Sequence, residues 1–332
     1  MAIMQTLPGG IIPPVPTFFD AAGELDIPTL ERHIAWLSEQ HIAGVLVLGS
    51  NGEAMHLDDD ERKHVITAAR DTLDSPSLRP WRERPILLAG TADQSTRGTI
   101  RRCRVAADVG AEIAVVLPPY AFPTQMNAAA LEAHFVAVAD ASPIPILLYN
   151  MPANTANIDM SAELIIRLAQ HPQIIGMKDS SGNITKMATI IAAVPPDFAV
   201  LAGSGGFLLP TLVVGGTGAI AAVANIFPSP LASIYLLWNQ RFEEGVDTQM
   251  LEKQAYATQQ QIIPINQLVT ATFGVAGLKA ALEIERGYGG APRLPLLPLN
   301  EDNRVIVKKA LHDFNAMLYN PILGERYILK KY

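Results

Sequence analysis

A lysine that follows a short apolar stretch is the residue of this chain best placed for covalent chemistry. Residues 174–177 read Ile-Ile-Gly-Met, and Lys178 comes next, before the small polar residues 179–183. Short apolar runs bounded by turn residues are typical of strands buried on both faces, and burial favours the uncharged form of an amine. A neutral amine can attack a ketone to form a Schiff base, so Lys178 is a candidate nucleophile. The alternative is a strand-end lysine whose ammonium extends to water.

A tyrosine at the end of another apolar run could serve the same reaction. Tyr149 follows Ile-Leu-Leu at 146–148, which predicts a buried ring whose hydroxyl needs a partner. On the strand next to Lys178, that hydroxyl could relay a proton to or from a reacting oxygen. The alternative is a packed tyrosine that is hydrogen-bonded to a backbone carbonyl.

The turn after an earlier strand could hold an anion. Ser50 and Asn51 stand between two glycines in residues 49–53, which read Gly-Ser-Asn-Gly-Glu. Backbone N–H groups in such a turn can converge on a carboxylate, and the two side chains add donors. An ordinary Asn-Gly turn is the alternative. We interpret Glu53 as a charge at a helix start rather than as an acid catalyst.

A glycine-rich segment at 203–206, Gly-Ser-Gly-Gly, fits two roles. It could cradle a phosphate, as loops after the seventh and eighth strands of many barrels do, which would indicate a phosphosugar enzyme. It could instead allow close backbone approach beside the site, and the lack of a basic residue nearby in the sequence favours this second role. The histidines show no metal-ligand spacing and no His-Glu-x-x-His motif, so no metal site is expected.

The elements that would position these residues alternate regularly. Between residues 10 and 240, eight apolar strand patterns are each followed by a helical pattern. Such alternation implies right-handed crossovers and a parallel sheet. Eight units without a break predict an α/β fold, a (β/α)8 TIM barrel over residues 10–240, with a helical C-terminal region over 241–332 that covers the barrel or a partner subunit. A doubly wound sheet is the alternative, but no dinucleotide-binding fingerprint follows the first strand.

Local signals set some of the boundaries. The proline-rich residues 10–19 predict the first strand, and the polar residues 74–85 predict an inserted surface loop. Asp58 with Glu61 three positions later forms a capping-box pattern, which predicts the start of a helix.

The composition excludes several classes of protein. The 332 residues carry a net charge of −7, which argues against nucleic acid as a partner. The single cysteine, Cys103, excludes an intramolecular disulfide and is expected to pack in a helix. We find no secretory or transit pattern and no apolar run of the roughly 18 residues that a membrane span needs. We therefore expect a cytoplasmic protein that does not enter a membrane.

Three of these segments together resemble one enzyme family. Residues 49–53, 149–152 and 176–180 match, in order and spacing, motifs of the dihydrodipicolinate synthase / N-acetylneuraminate lyase superfamily of Schiff-base aldolases. The resemblance implies a (β/α)8 barrel with a C-terminal helical region, usually a homotetramer, that works without a cofactor. It also implies a pyruvate Schiff base on Lys178 and a proton shuttle at Tyr149. The pyruvate carboxylate would be held by Ser50 and Asn51, and the carbonyl of Ile220 would line the pocket.

Within the superfamily, the chain is most similar to the 4-hydroxy-2-oxoglutarate aldolase branch. The similarity rests on Ser-Asn at 50–51 and on residues 151–155, 177–180 and 201–204, the last including Gly203. It implies that Ser180 holds a distal group of the substrate. Asn154 stands where dihydrodipicolinate synthases usually place an arginine for their second substrate, which argues against that activity. The expected reaction is cleavage of 4-hydroxy-2-oxoglutarate to pyruvate and glyoxylate, with a 2-keto-3-deoxy sugar acid as the alternative substrate.

One departure from the family pattern keeps a second class of protein open. The family often has another tyrosine just after the Pro-Tyr of strand four, where it joins a proton relay across a subunit interface. Here Tyr120 is followed by Ala121 and Phe122. Either Tyr120 takes over the relay, or the chain is a non-catalytic barrel that binds a 2-oxo acid.

Overall fold

Eight parallel strands form the centre of the structure, which is a computed structural model describing residues 6–76 and 84–318. Neighbouring strands pair in the order β1-β8-β7-β6-β5-β4-β3-β2. Their bounds are β1 Gly10–Ile12, β2 Gly44–Val47, β3 Ile86–Gly90, β4 Ile113–Val116, β5 Ile146–Asn150, β6 Ile174–Asp179, β7 Ala199–Ala202 and β8 Gly218–Ile220.

The two ends of this sheet meet, so the sheet is a nearly closed barrel. A parallel bridge joins Pro14 to Leu46, where the Leu46 N–H donates to Pro13 O at 2.9 Å and the Val15 N–H donates to Leu46 O at 2.8 Å. The predicted (β/α)8 fold is therefore confirmed. Strand β1 ends at Ile12 rather than Phe19, because Pro13 and Pro14 have no amide hydrogen to continue a ladder.

Helices surround the barrel and continue past it. They are α1 Ile27–Ser38, α2 Asp59–Asp74, α3 Thr96–Asp108, α4 Ala128–Ala141, α5 Ala162–Leu168, α6 Ile184–Ile191, α7 Leu208–Val213, α8 Pro228–Gln240, α9 Thr248–Gln267, α10 Gly274–Arg286 and α11 Glu301–Leu318. The predicted capping box at the start of α2 is present, because the Asp58 carboxylate accepts from the Glu61 N–H while the Glu61 carboxylate accepts from the Asp58 N–H. The predicted loop at 74–85 falls mostly on residues 77–83, which lie outside the described residues.

Apolar side chains fill the barrel interior as one cluster. Its members include Ile12, Leu46, Leu88, Val115, Leu147, Tyr149, Leu201 and Ile220. They alternate along each strand with residues that pack outward against the helices, as a sheet covered on both faces requires. Cys103 is fully buried in the outer layer, as expected from its place in a helical pattern.

A register shift between β5 and β6 decides which side chains share the barrel mouth. Ile146 pairs with Ile174, but Leu147 pairs with Gly176, so Ile175 is an extra residue in β6. A one-residue shift moves every following side chain to the other face of a strand. After the shift, Tyr149 lies directly opposite Lys178.

The C-terminal helices pack on the barrel itself. Residues of α9, α10 and α11, such as Ile262, Leu278 and Phe314, belong to the same apolar cluster as barrel residues. A π-helical turn, Leu268–Thr272, joins α9 to α10. In the part of the chain that the structure describes, no helix is both long and apolar enough to cross a membrane. The last residues of the predicted helical region, 319–332, are not among those described.

Candidate active site

The amine of Lys178 is buried and unpaired. The residue ends the inward-facing row of β6 and is 4% exposed. Within residues 6–76 and 84–318, its Nζ atom has no hydrogen bond or ion pair. The atom lies over the Tyr149 ring, 4.0 Å from the ring centroid. The strand-end lysine that extends to water is therefore not what the structure shows. Such an amine is free to react, because no ion pair has to be broken first.

Tyr149 places its ring against the amine, and its hydroxyl bonds a sulfur atom. The side chain is 3% exposed, and its hydroxyl donates to the Met151 Sδ atom at 2.7 Å. The alternative of a hydroxyl bonded to a backbone carbonyl is not observed. A thioether is a weak acceptor, so the phenol can exchange this contact for a bound oxygen.

The outward faces of the same two strands carry a polar network that our sequence analysis missed. Asn150 pairs with Asp179 in the register, and its Nδ2 donates to the carboxylates of Asp159 (2.7 Å) and Asp179 (3.2 Å). Lys186 on α6 contacts the same carboxylates, at 2.5 and 3.1 Å. The Asn150 Oδ1 atom accepts from the Met160 N–H at 3.0 Å. This network fixes the ends of β5 and β6 on the faces that point away from the barrel interior.

The turn after β2 presents unused donors. Neither the N–H groups nor the side chains of Ser50 and Asn51 are hydrogen-bonded to another described residue, and both residues are half-buried. The turn itself is held by the Gly52 N–H, which donates to Gly49 O at 3.0 Å, and by the Thr17 hydroxyl, which donates to Gly52 O at 2.7 Å. Strand β2 lies across the eight-stranded ring from β6. An anion held at this turn would therefore lie on the opposite side of the mouth from Lys178.

Ser180 and Gly203 lie against each other at the ends of β6 and β7. The Ser180 Oγ atom is buried without a hydrogen-bond partner among the described residues. A Cβ atom at Gly203 would lie 1.9 Å from that oxygen, so only glycine fits there. Ile220 is fully buried at the end of β8, in the same interior cluster as Tyr149.

Two residues predicted to take part in the site, Asn154 and Tyr120, do not join the buried residues around Lys178 and Tyr149. Asn154 lies on a 3₁₀ turn, Pro152–Asn154, and is exposed at the rim. Tyr120 packs against the outer apolar cluster rather than the interior one that contains Tyr149. Its hydroxyl has no hydrogen bond to a described residue, so the structure does not place it in a relay within this chain.

The glycine-rich segment at 203–206 packs against the C-terminal helix α9, whose side chains hydrogen-bond it. Gln259 donates to Gly205 O at 2.9 Å and accepts from the Leu209 N–H at 2.8 Å, while Asn266 bonds the Ser204 hydroxyl. A Cβ atom at Gly206 would lie 3.0 Å from Asn266. The phosphate-cradle interpretation is therefore wrong, and these glycines allow close packing.

Glu53 stands at a helix start, as interpreted, but its carboxylate also has a distant partner. The residue does precede a 3₁₀ turn, Ala54–His56, but its carboxylate is buried and pairs with Lys279 of α10 at 2.6 Å. No sequence signal connects two residues that are 226 positions apart. Among the described residues, no group of three or more metal-ligating side chains occurs.

The fold and these residues define a barrel enzyme whose chemistry lies at the carboxyl ends of its strands. The chain belongs to the dihydrodipicolinate synthetase family, which matches it over residues 7–314. The resemblance predicted from three motifs is thus confirmed. The protein is a carbon–carbon lyase of the aldolase type.

Relatives and solved structures agree with this assignment. The chain is 38% identical to the probable mitochondrial 4-hydroxy-2-oxoglutarate aldolase of Emericella nidulans, over 94% of this chain and 96% of that protein. It is 37% identical to the L-threo-3-deoxy-hexylosonate aldolase of Hypocrea jecorina, over 93% and 96% of the two chains. Among solved structures, it is similar to YagE, a prophage protein of the dihydrodipicolinic acid synthase family from E. coli in complex with pyruvate. That similarity has a TM-score of 0.81 and 32% identity, and it covers 92% of this chain and 98% of YagE.

Proposed function

We propose that this protein is a class I aldolase that cleaves a 4-hydroxy-2-oxo acid into pyruvate and an aldehyde through a Schiff base on Lys178. The observation that carries the proposal is the buried Lys178 amine, which has no ion pair within residues 6–76 and 84–318 and lies 4.0 Å from the centroid of the Tyr149 ring. The E. nidulans and H. jecorina relatives, both named aldolases, support it.

The chemistry follows from an amine at this position. Lys178 Nζ attacks the C2 carbonyl of the substrate, and loss of water gives a protonated imine. The imine withdraws electrons from the C3–C4 bond, so removal of the C4 hydroxyl proton releases the aldehyde and leaves an enamine. Protonation of the enamine at C3 and attack by water then release pyruvate and restore the lysine.

Tyr149 is the residue that relays protons in this scheme. Its ring centroid lies 4.0 Å from the amine, and among the described residues its hydroxyl bonds a weak acceptor, Met151 Sδ. It can therefore turn to the carbinolamine oxygen or to the C4 hydroxyl of the substrate. A positioned proton relay contributes roughly 10²–10⁴-fold to the rate of such reactions.

The remaining site residues bind the substrate in this proposal. The free donors of Ser50 and Asn51 hold the C1 carboxylate, which orients the carbonyl toward Lys178. The unpaired Ser180 hydroxyl contacts a distal polar group, and Asn154, on the exposed rim, contacts the far end of a longer substrate. Gly203 and Ile220 line the pocket. The lysine supplies the covalent chemistry, so the proposed reaction requires no cofactor.

The proposed aldehyde product is glyoxylate, from 4-hydroxy-2-oxoglutarate. The name of the E. nidulans relative supports this substrate. By the motif resemblance described above, Asn154 replaces an arginine that dihydrodipicolinate synthases usually use for their second substrate, and this disfavours that activity.

Borohydride trapping tests the central step. The protein is incubated with pyruvate and sodium borohydride, and the modified peptide is mapped by mass spectrometry. We expect one reduced pyruvyl group, on Lys178, and no such group in Lys178→Ala. Lys309→Ala is the matched control, because Lys309 is exposed on α11 and its loss should leave trapping unchanged. An unmodified Lys178 would contradict the proposal.

A 2-keto-3-deoxy sugar acid is the second candidate substrate. The H. jecorina relative is named for such an acid, and the exposed rim at Asn154 leaves room for a longer chain. A panel of both acids, scored by lysine-dependent pyruvate release, decides between them. Pyruvate trapping without release from any member of the panel would favour the non-catalytic binder that the Ala121-Phe122 departure suggests.

We further propose a cytoplasmic homotetramer. Phe122 and Met55, 65% and 56% exposed, are apolar side chains at the barrel mouth that another subunit could cover. Light scattering after size-exclusion chromatography measures the mass of the assembly. Cell fractionation tests the location, which is of interest because the E. nidulans relative is named as mitochondrial.

A further inference from the structure

A buried ion pair connects the turn at residues 50–52 to the C-terminal helices. The Glu53 Oε1 atom lies 2.6 Å from Lys279 Nζ, and the two side chains are 1% and 0% exposed. Lys279 also donates to Ala291 O at 3.1 Å. The carboxylate that follows the turn directly is therefore held by a helix at the other end of the chain.

A second C-terminal residue also holds Glu53, whose Oε2 atom lies 3.1 Å from the Nδ1 atom of the neighbouring His56 as well. The Arg293 N–H donates to Glu53 Oε2 at 2.8 Å. The Arg293 guanidinium in turn binds both Glu61 oxygens, at 2.7 and 2.9 Å, and donates to Gly23 O. Arg293 is thus anchored on α2 and on the loop before α1. Its contact with Glu53 is therefore fixed relative to the barrel.

The backbone of the turn needs such support. Leu48 and Glu53, on either side of it, have positive φ angles of 57° and 49°. Side chains other than glycine rarely adopt this left-handed conformation, and they keep it only where the surroundings enforce it. The Leu48 conformation is enforced by close packing of its backbone on Gly90, where a Cβ atom would lie 1.9 Å from Leu48 O. The Glu53 conformation is held by the contacts of its carboxylate with Lys279, Arg293 and His56.

We propose that Lys279 and Arg293 are positioning residues for the substrate carboxylate, acting through Glu53 on the donors of Ser50 and Asn51. This inference rests on the proposed function, in which that turn holds the carboxylate of a 2-oxo acid. The same contacts have an electrostatic role. The Glu53 carboxylate is two positions from Asn51, and without its cation it would repel an incoming carboxylate.

The charge state of the pair agrees with this role. Burial lowers the pKa of Lys279, and the neighbouring Glu53 carboxylate opposes that effect. Glu53 therefore favours the protonated form of Lys279, and at 2.6 Å the two opposite charges offset each other. Removal of one partner should therefore affect the turn more than removal of both.

The test measures pyruvate trapping as a function of pyruvate concentration in the full-length protein. The variants are Lys279→Met, Lys279→Arg and the double variant Glu53→Gln/Lys279→Met, which leaves no isolated buried charge and so protects against misfolding. We expect Lys279→Met to raise the half-saturating pyruvate concentration about tenfold or more, with the limiting trapping rate within about twofold of the wild type. The double variant should show a smaller increase, and Lys279→Arg should restore part of the affinity.

Glu112→Gln is the matched control. Glu112 also bonds cations, Arg70 at 3.1 Å and Arg84 at 2.9 Å, and a backbone N–H, that of Leu87 at 2.8 Å. It precedes β4, at the end of the barrel away from the mouth. Its loss should lower the thermal midpoint without changing the pyruvate dependence.

Amide hydrogen exchange of a peptide spanning residues 48–57 provides a readout that does not involve pyruvate. We expect faster exchange in the double variant and no change in Glu112→Gln. An unchanged pyruvate dependence and unchanged exchange in the double variant would overturn the inference, as would an equal effect of Glu112→Gln. A wild-type protein that does not trap pyruvate would instead overturn the proposed function and the carboxylate role together, and the exchange data would then decide only whether the pair orders the turn.

Discussion

Two buried lysines, Lys178 and Lys279, differ in what surrounds their amines. Lys279 is paired with a carboxylate at 2.6 Å, whereas Lys178 has no ion pair among the described residues and faces the Tyr149 ring. A paired lysine is held as a cation by its partner, and an unpaired one is available as a nucleophile. The contrast at the level of single residues therefore separates a structural lysine from the proposed catalytic one.

The hydroxyl of Tyr149 can be tested separately from its ring. Tyr149→Phe keeps the ring beside Lys178 and removes the relay. We expect pyruvate trapping on Lys178 to persist while pyruvate release from 4-hydroxy-2-oxoglutarate falls by roughly 10²-fold or more, the usual contribution of a proton relay. Tyr256→Phe, which alters an exposed tyrosine on α9, should change neither quantity. Turnover at the wild-type rate in Tyr149→Phe would exclude the relay.

At the scale of elements, β5 and β6 place chemistry on one face and support on the other. Tyr149 and Lys178 point into the barrel, while their successors Asn150 and Asp179 point outward and pair with each other. Because Asn150 donates to two carboxylates, it relieves a repulsion between Asp159 and Asp179 that Lys186 alone would have to offset.

The substitution Asn150→Asp tests this support. It replaces two donated hydrogen bonds with a third negative charge in a buried network, which should cost about 2–4 kcal/mol of unfolding free energy. The measurement is the denaturant midpoint at constant slope. Asn239→Asp, at an exposed asparagine on α8, should shift the midpoint by no more than about 0.5 kcal/mol. A wild-type midpoint for Asn150→Asp would show that the network does not stabilise the strand ends.

At the scale of the whole molecule, a buried histidine joins the first helix to the end of the barrel. The Asn225 Nδ2 group donates to Pro14 O and Ala222 O, so its Oδ1 atom accepts from His33 Nε2, at 3.1 Å. The His33 Nδ1 atom is then the acceptor for the Tyr288 hydroxyl at 3.0 Å. The arrangement requires the neutral imidazole.

This histidine predicts an acid-sensitive fold. Burial lowers the pKa of His33 from 6.5 to about 4, and burial lowers that of His134 similarly. The unfolded chain takes up these protons first, so the stability is fully present above pH 6.5 and is lost as the pH falls toward 4. Each proton contributes a slope of up to about 1.4 kcal/mol per pH unit.

Denaturant unfolding between pH 7 and pH 4 measures this slope. His33→Gln should make the slope shallower, because one of the two proton-uptake sites is lost, even if the variant is less stable throughout. His64→Gln, at an exposed histidine, should leave the slope unchanged. Equal slopes in the wild type and His33→Gln would show that His33 is not the group responsible.

The sequence alone determined the barrel and the positions of Lys178 and Tyr149 at strand ends, because apolar runs, helical periodicity and capping residues are local signals. It also identified the motifs of the family. Only the tertiary structure decided that Lys178 lies opposite Tyr149, since that depends on the extra residue Ile175 in β6. It likewise decided that Glu53 has a buried cation as its partner. Such pairings depend on contacts between segments that are far apart in the chain, and neither segment carries a signal for the other.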